Sequence, residues 1–410
     1  MSTTQEPVWR TALSGAQILF VAFGATVLVP LLTGLNPSLA LLGAGIGTLV
    51  FQVCTKRQVP IYLGSSFAFI APVIYSVHTW GMPATLGALA SASFFYYVAA
   101  GLVKWRGVGF IHRLLPAVVI GPVIMVIGLG LAQVAVSMAT GKAGDQQVVP
   151  YGLALSIAAI SLLATMLTAI RARGLLKLVP ILVGVAVGYA VSLFMGVVDF
   201  SRVTQAAWLA VPQFGHPEFN VAAILFMIPV AIAPIVEHVG GILAIGSVTG
   251  NDFTESPGLH RTLLGDGLAV TIAGLFGGPP VTTYGEVTGA LMLTRNFNPV
   301  VMTWAACFAI LMAFVGKFGA LLQTIPMPVM GGIMMLLFGS IAGIGLKTII
   351  DGRVDLSSAR NLCIVSVTLV TGIGGLGLTI GSFSLQGISL CGVLAVLLNL
   401  LLPREAAKQN

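Results

Sequence analysis

Long apolar runs separated by short polar links dominate this sequence and constrain its fold more than any other feature. A helix needs about 20 apolar residues to cross the hydrocarbon core of a bilayer. Hydrophobic residues make up 57% of the 410 residues and charged residues only 8%, so a water-soluble fold could not hide the apolar surface. We predict an all-α polytopic membrane protein with fourteen transmembrane segments, near 13–33, 38–55, 61–77, 83–103, 115–137, 151–170, 175–197, 220–247, 262–277, 281–294, 299–317, 325–346, 361–380 and 384–402.

Lysine and arginine residues are distributed unevenly between the links. With the N-terminus inside, sixteen of the nineteen fall on the inner side, and Lys142, Arg202 and Lys317 fall on the outer side. Cytoplasmic loops of membrane proteins carry such an excess. The pattern predicts a cell (inner) membrane location with both termini cytoplasmic. It also accounts for the net charge of +7 without a nucleic-acid partner.

The segments divide into two halves of seven, joined by a link at 198–219. Because seven is odd, the second half must run inverted relative to the first. The run PAVVIG at 116–121 opens the fifth segment, and PMPVMG at 326–331 opens its counterpart, the twelfth. We predict two inverted repeats of seven segments.

The third and tenth segments occupy matching positions and both are interrupted. In the tenth, glycine and proline at 277–280 forbid a helix, 281–284 is β-prone, and 286–294 can form a half-helix. In the third, 60–66 is extended and 67–75 is a short helix. Interrupted segments at matching positions of inverted repeats indicate a transport site at the bilayer midplane. The two half-helices are expected to point their N-termini at each other and at the substrate.

Only three carboxyl side chains lie inside apolar runs, and such groups are functional candidates by default. Glu237 and Glu286 lie at similar depth and are expected to share a cavity, where each can accept from a ring N–H or donate when protonated. We predict that both bind substrate and couple it to protons. Asp266 and His238 are interpreted as structural.

Motifs for catalysis and for metal binding are missing from the sequence. No P-loop, nucleophile elbow or HExxH is present, and the four cysteines stand alone. We predict a transporter and not an enzyme, without a cofactor and with the proton gradient as its energy source.

Several stretches resemble the nucleobase–ascorbate transporter family, and most closely its bacterial uracil permeases. The resemblance covers nearly the whole chain and is carried by FGATVLVP at 23–30, YLGSSFAF at 62–69, EHVG at 237–240, PGLHR at 257–261, TTYGE at 282–286 and IPMPVMGG at 325–332. It implies proton-coupled import of a nucleobase, with uracil favoured. A xanthine or purine permease of the same family, or an anion transporter of the related inverted-repeat fold, remains an alternative.

The resemblance also implies a division into two domains. Residues 13–103 and 220–317 (segments 1–4 and 8–11) would form a core domain. Residues 104–197 and 318–402 (segments 5–7 and 12–14) would form a gate domain, through which two copies form a homodimer.

Carried over by position, the family's substrate site falls on residues from both halves. Glu237 and Glu286 would bind the ring, with Glu237 the leading candidate for proton coupling. The backbone of Phe67 and Gly285 would contact substrate carbonyls, with Tyr284 beside the pocket. Phe338, which stands where the family has an aromatic hydroxyl, would also contact the substrate.

Three further positions depart from the family pattern. Gly241 replaces a histidine one turn after the eighth-segment glutamate, Val287 replaces an asparagine, and Ile18 replaces the histidine of a Gln-His pair. A proton relay through residue 241 is therefore not possible in this chain.

Overall fold

The computed structural model describes residues 7–144, 146–294, 296–380 and 383–403, and these residues are mostly helical. The helices are α1 Val8–Thr33, α2 Pro37–Cys54, α3 Ile70–Ala92, α4 Phe94–Arg106, α5 Val108–Leu114, α6 Ala117–Leu129, α7 Ala132–Ala139, α8 Tyr151–Arg171, α9 Pro180–Phe194, α10 Ser201–Gln205, α11 Val221–Met227, α12 Ile232–Thr249, α13 Leu259–Phe276, α14 Gly285–Thr294, α15 Pro299–Ala313, α16 Gly316–Leu322, α17 Met327–Asp351, α18 Ala359–Ile373 and α19 Ile388–Leu401.

Many of these helices have the length and apolarity of membrane spans. Within the described residues, seven helical stretches can cross a bilayer: Val8–Thr33, Pro37–Cys54, Phe67–Arg106, Ala117–Ala139, Tyr151–Arg171, Val221–Thr249 and Met327–Asp351. Four more are apolar but shorter: Pro180–Phe194, Pro299–Ala313, Ala359–Ile373 and Leu390–Leu401. The prediction of a multi-pass helical membrane protein is confirmed.

Two helices begin with the same local sequence signal. Asn36 precedes Pro37 at the start of α2, and Asn298 precedes Pro299 at the start of α15. Each asparagine side chain accepts a hydrogen bond from a backbone N–H in the first turn. An asparagine cap followed by proline is typical of a helix N-terminus, because proline lacks the N–H that would otherwise be unpaired there.

Six short strands in three antiparallel pairs interrupt the helices in the part of the chain that the structure describes. The strands are β1 Leu63–Ser65, β2 Lys142–Ala143, β3 Gln146–Gln147, β4 Val281–Thr283, β5 Gly377–Ile380 and β6 Phe383–Gln386. β2 with β3 and β5 with β6 are local hairpins, whereas β1 pairs with β4 from the other half of the chain.

The β5–β6 hairpin differs from the prediction of a continuous helix over 361–380. Helix α18 ends at Ile373, and Gly374 and Gly375 follow. Gly375 has a φ of 67°, which glycine adopts without steric cost and which commonly ends a helix.

The third segment follows the prediction at its start and departs from it afterwards. Residues 63–65 are extended, and a helical turn at Phe67–Phe69 leads into α3. The helix continues past the predicted end at 75 until Gly81, whose φ of 83° and ψ of 168° break it. After Gly81 the chain is helical again and remains so up to Arg106, except for an interruption at Ser93 between α3 and α4.

The helices form two groups that pack mainly among themselves. One group contains α1–α4 and α11–α15, and the other contains α6–α9 and α17–α19. Within the second group, a Cβ on Gly332 of α17 would lie 2.2 Å from the carbonyl oxygen of Ala158 in α8. Small residues of this kind let helix backbones approach closely in a membrane. The cavity described next is lined by both groups.

Candidate transport site

A cavity of about 210 Å³ lies where the two helix groups meet. Its walls come from β1, β4, the starts of the helices that follow those strands, and from α6, α12 and α17. The lining residues are Ser65, Ser66, Phe67, Ile124, Glu237, Gly240, Gly241, Ala244, Thr282, Thr283, Tyr284, Gly285, Ile341, Ile344, Lys347, Thr348 and Asp351. The cavity is smaller than the pockets of about 300–1,000 Å³ that hold drug-sized ligands, which suits a single small ring.

The pairing of β1 with β4 positions the two helix starts. Gly64 lies opposite Thr282 in the register. One residue beyond the ladder on either side, the N–H of Ser66 donates to Pro280 (2.8 Å) and the N–H of Tyr284 donates to Tyr62 (3.1 Å). Every backbone polar group away from water needs such a partner. The pairing therefore gives hydrogen-bond partners to two buried segments that are not helical.

Helices start at the cavity from both strands. One helical stretch begins at Phe67, α14 begins at Gly285, and both residues line the cavity. The first N–H groups of a helix have no partner within the helix, and its N-terminus carries a partial positive charge. The predicted meeting of two helix N-termini at one cavity is therefore present in the structure.

Two aromatic rings stand parallel at the cavity. The planes of Phe67 and Tyr284 differ by 2°, and their centroids are 6.4 Å apart. The Tyr284 hydroxyl donates to the carbonyl of Ser65 at 2.8 Å, which fixes the ring. Phe338 packs edge-on against Phe67, with 6.1 Å between centroids. Among the described residues, Phe338 reaches the cavity through Phe67 and does not line it, and its role as a substrate contact stays a prediction.

The backbones of the two predicted glutamates, Glu237 and Glu286, both lie at this site. Glu237 lies in the middle of α12, and its half-buried side chain lines the cavity. Glu286 lies in the first turn of α14, beside the cavity-lining Gly285. The side chain of Glu286 lies outside the described part of the structure, so its contact with substrate stays a prediction.

A buried polar cluster adjoins this site, and sequence reasoning assigned its members only structural roles. Nδ1 of His238 lies 3.0 Å from Oδ2 of Asp266, and both side chains are fully buried. Nε2 of His238 lies 3.0 Å from Oγ1 of Thr262. The spacing of Thr262 and Asp266, four residues apart on one helix face, is the sequence signal that could have indicated a shared partner.

Hydroxyl groups on β4 connect this cluster to the cavity. Thr282 donates to Oδ2 of Asp266 at 3.2 Å, and the Thr283 hydroxyl lies 3.5 Å from Nδ1 of His238. Both threonines also line the cavity. A ligand in the cavity would therefore be separated from His238 and Asp266 by a single residue, Thr282 or Thr283.

The cavity extends from β1 and β4 toward the C-terminal end of α17. Ile344, Thr348 and Asp351 follow one another along that helix and line the cavity. Lys347 forms an ion pair with Asp351, and both side chains are largely exposed. The cavity therefore opens at the end of the molecule where these charged residues lie.

The chain matches known permeases over nearly its whole length. Residues 10–381 match a family model described as "Permease family". A protein of Pasteurella multocida named "Probable uracil permease" is 58% identical over 96% of this chain and 94% of its own length. A "Uracil permease" of Bacillus subtilis is 43% identical over 96% of this chain and 92% of its own length.

Solved structures share the fold at low sequence identity. The transmembrane domain of the cyanobacterial bicarbonate transporter BicA has a TM-score of 0.65 and 15% identity, covering 97% of this chain and 98% of that one. The anion transporter Slc26a9 of mouse, solved in an inward-facing state, has a TM-score of 0.71 and 12% identity, covering 98% of this chain and 69% of that one. These likenesses establish a membrane transporter fold.

Fold and site together define a membrane transporter, and its relatives are permeases and not enzymes. The resemblance noted in the sequence is thereby confirmed. The chain belongs to this permease family, the nucleobase–ascorbate transporters, and is similar to the bacterial uracil permeases.

Proposed function

We propose that this protein is a proton-coupled symporter that imports a nucleobase, most favourably uracil, across the cell membrane. The observation that carries the proposal is the cavity bordered by Glu237 and by two helix N-termini. Relatives named uracil permease, aligned over more than nine-tenths of their length, support the choice of base.

The groups around the cavity suit a flat ring that carries both N–H and carbonyl groups. The carboxylates of Glu237 and Glu286 accept from ring N–H groups, and backbone N–H groups at Phe67 and Gly285 donate to ring carbonyls. The Phe67 ring offers an apolar face on which the base stacks, with Tyr284 and Phe338 holding that face in place.

In this proposal the chain crosses the inner membrane fourteen times in two inverted repeats, with both termini cytoplasmic. The helix group α1–α4 with α11–α15 corresponds to the core domain, and α6–α9 with α17–α19 to the gate domain through which a homodimer forms. The end of α17 then lies inside, because Lys347, Arg353 and Arg360 belong to the basic-rich side. The cavity is inward-open, and transport proceeds by alternating access as the two domains move relative to each other.

Proton coupling follows from placing a carboxyl group where the substrate binds. A carboxylate accepts from a ring N–H, whereas a protonated carboxyl donates to a ring carbonyl. The two forms therefore differ in substrate affinity, and a proton is imported with the base when the protonated site binds the base more tightly. Glu237 lines the cavity and is the leading candidate for this linkage, with Glu286 as the second.

Two alternatives lead to different selectivity. A purine such as xanthine would use the same groups. An anion transporter is suggested by the shared fold of BicA and Slc26a9, but two carboxylates beside one cavity would repel an anion.

Uptake by the purified protein in liposomes separates these possibilities. An imposed inward proton gradient should drive accumulation of labelled uracil, and a protonophore should abolish it. Excess unlabelled uracil should compete, whereas sulfate and bicarbonate should not. Accumulation that persists in the protonophore and follows a sodium gradient would overturn proton coupling. Stronger competition by xanthine than by uracil would reassign the base.

A further inference from the structure

The buried contact between His238 and Asp266 implies a definite number of protons. The Thr262 hydroxyl donates to the carbonyl of Leu259 at 3.0 Å. Its oxygen is then an acceptor, so Nε2 of His238, 3.0 Å away, carries a hydrogen and donates to it.

A second hydrogen is needed on the other side of the imidazole ring. Nδ1 of His238 and Oδ2 of Asp266 are 3.0 Å apart, and without a hydrogen between them both would be acceptors. The pair is therefore either imidazolium with carboxylate or neutral imidazole with carboxylic acid. Both forms contain one proton more than a neutral imidazole beside a carboxylate.

We propose that this His238–Asp266 pair, and neither of the two cavity glutamates, holds the transported proton, a step that rests on the proposed symport function. The proton enters from water on one side, is held between Nδ1 and Oδ2, and is released to water on the other side. Losing it would leave two acceptors in contact and a net negative charge in a fully buried site, both of which are costly. The deprotonated pair is therefore expected to separate α12 from α13 and β4.

The proton site is coupled to the substrate because α12 and β4 also line the cavity. Glu237 precedes His238 on α12, while Thr282 and Thr283 on β4 contact the pair and line the cavity. The base therefore binds to walls on α12 and β4 that stay in contact only while the pair holds its proton. Proton and base then bind more tightly together than apart, which is the requirement for symport.

The elements packed around the His238–Asp266 pair contribute few other titratable groups. Helix α4 packs against α13 and contributes the fully buried Tyr96 phenol. Phe51 from α2 presents an apolar ring at 6.4 Å from the His238 ring. Glu286 is the titratable residue in the sequence of α14, the helix that follows β4. Residue 241, which supplies a histidine in the family pattern, is glycine here, and its added Cβ would lie 3.3 Å from Oγ1 of Thr283.

Asp266→Asn tests the proposal because asparagine keeps the shape and both hydrogen bonds. Because both partners contact Oδ2, the NH₂ of asparagine takes the place of that atom. It donates one hydrogen to Nδ1 of a neutral His238 and the other to the Thr282 hydroxyl, but it cannot exchange a proton. In liposomes, exchange of labelled for unlabelled uracil should stay within about twofold of the wild type. A gradient of about one pH unit should give about tenfold accumulation in the wild type and about onefold in the variant. Asp355→Asn, an exposed aspartate, is the matched control and should accumulate normally.

The outcomes separate the pair from the overall function. Normal proton-driven accumulation by Asp266→Asn would overturn the proposal for the pair, with symport intact. Absence of proton-driven accumulation in the wild type would instead overturn the proposed function.

Two further measurements apply if Asp266→Asn does not fold. Thr262→Val removes the acceptor for Nε2 and should shift the pH midpoint of uptake while exchange persists. An unchanged midpoint counts against the pair. Infrared difference spectra of the wild type should show a carboxyl or imidazolium band that responds to uracil and to D₂O. Absence of any such band would also overturn the proposal.

Discussion

Gly64 lies directly against the ring of Tyr284, and a Cβ at residue 64 would come within 2.3 Å of Cε2 of that ring. The same Cβ would lie 2.9 Å from Oγ1 of Thr26. Residue 64 sits in the middle of β1, opposite Thr282, so neither neighbour can retreat without moving the strand pair. The glycine is required here by close approach.

Gly64→Ala should therefore impair substrate binding. The added methyl group must displace the Tyr284 ring, which is parallel to Phe67 and bonded to Ser65. We expect uracil affinity to fall by roughly tenfold or more, equivalent to about 1.4 kcal/mol. Equilibrium binding to the purified protein measures this loss. Gly152→Ala is the control, because a Cβ there meets open space, and wild-type affinity in Gly64→Ala would contradict the ring placement.

Tyr284→Phe should affect stability more than binding. It removes the buried hydrogen bond to the Ser65 carbonyl but keeps the ring beside Phe67, and such a bond contributes about 1 kcal/mol. Thermal unfolding in detergent should show a lower Tm, and uracil affinity should change by less than about fivefold. A large loss of affinity at unchanged Tm would show that the hydroxyl binds the substrate directly.

Glu286→Gln should weaken or redirect base binding. A carboxylate accepts charge-assisted hydrogen bonds that are roughly twice as strong as those to a neutral amide, so a loss of about tenfold in uracil affinity is expected. Competition of uracil uptake by xanthine should become relatively stronger in the variant. Glu255→Gln, at an exposed position, is the control. Unchanged affinity and selectivity in Glu286→Gln would remove residue 286 from the site.

Gly332→Val should destabilise the packing of α8 on α17. Its Cβ would lie 2.2 Å from the Ala158 carbonyl oxygen, a backbone atom that cannot rotate away, and overpacking of this kind costs about 1–3 kcal/mol. Gly339→Val on the same helix is matched in propensity and meets nothing within 4 Å. The first variant should unfold at a lower temperature than the second. Equal unfolding temperatures would contradict the close helix contact.

The class of fold and the interruption of the tenth segment could be predicted from sequence because both depend on local rules. Apolar runs of membrane-spanning length are visible without tertiary information. Glycine and proline at 277–280 force an interruption whatever surrounds them, and the structure has β4 and α14 where the extended stretch and half-helix were expected.

The contacts that depend on tertiary packing could not be predicted in the same way. The break at Gly81 requires a φ of 83°, which a glycine permits but does not dictate. His238 and Asp266 look unrelated in sequence, and only the packing of α12 against α13 brings their side chains together. The role given to each alone was structural for that reason.

The pairing of β1 with β4 has a consequence for how the chain is made. Leu63 and Thr283, which are opposite each other in the ladder, are separated by more than half of the polypeptide, and synthesis proceeds from the N-terminus. Strand β1 therefore stays without its partner in the nascent protein until β4 has been translated. A prematurely terminated product that ends before residue 281 would keep an unmatched strand edge in lipid, where exposed peptide groups are not tolerated, and is expected to be a target for quality-control proteolysis.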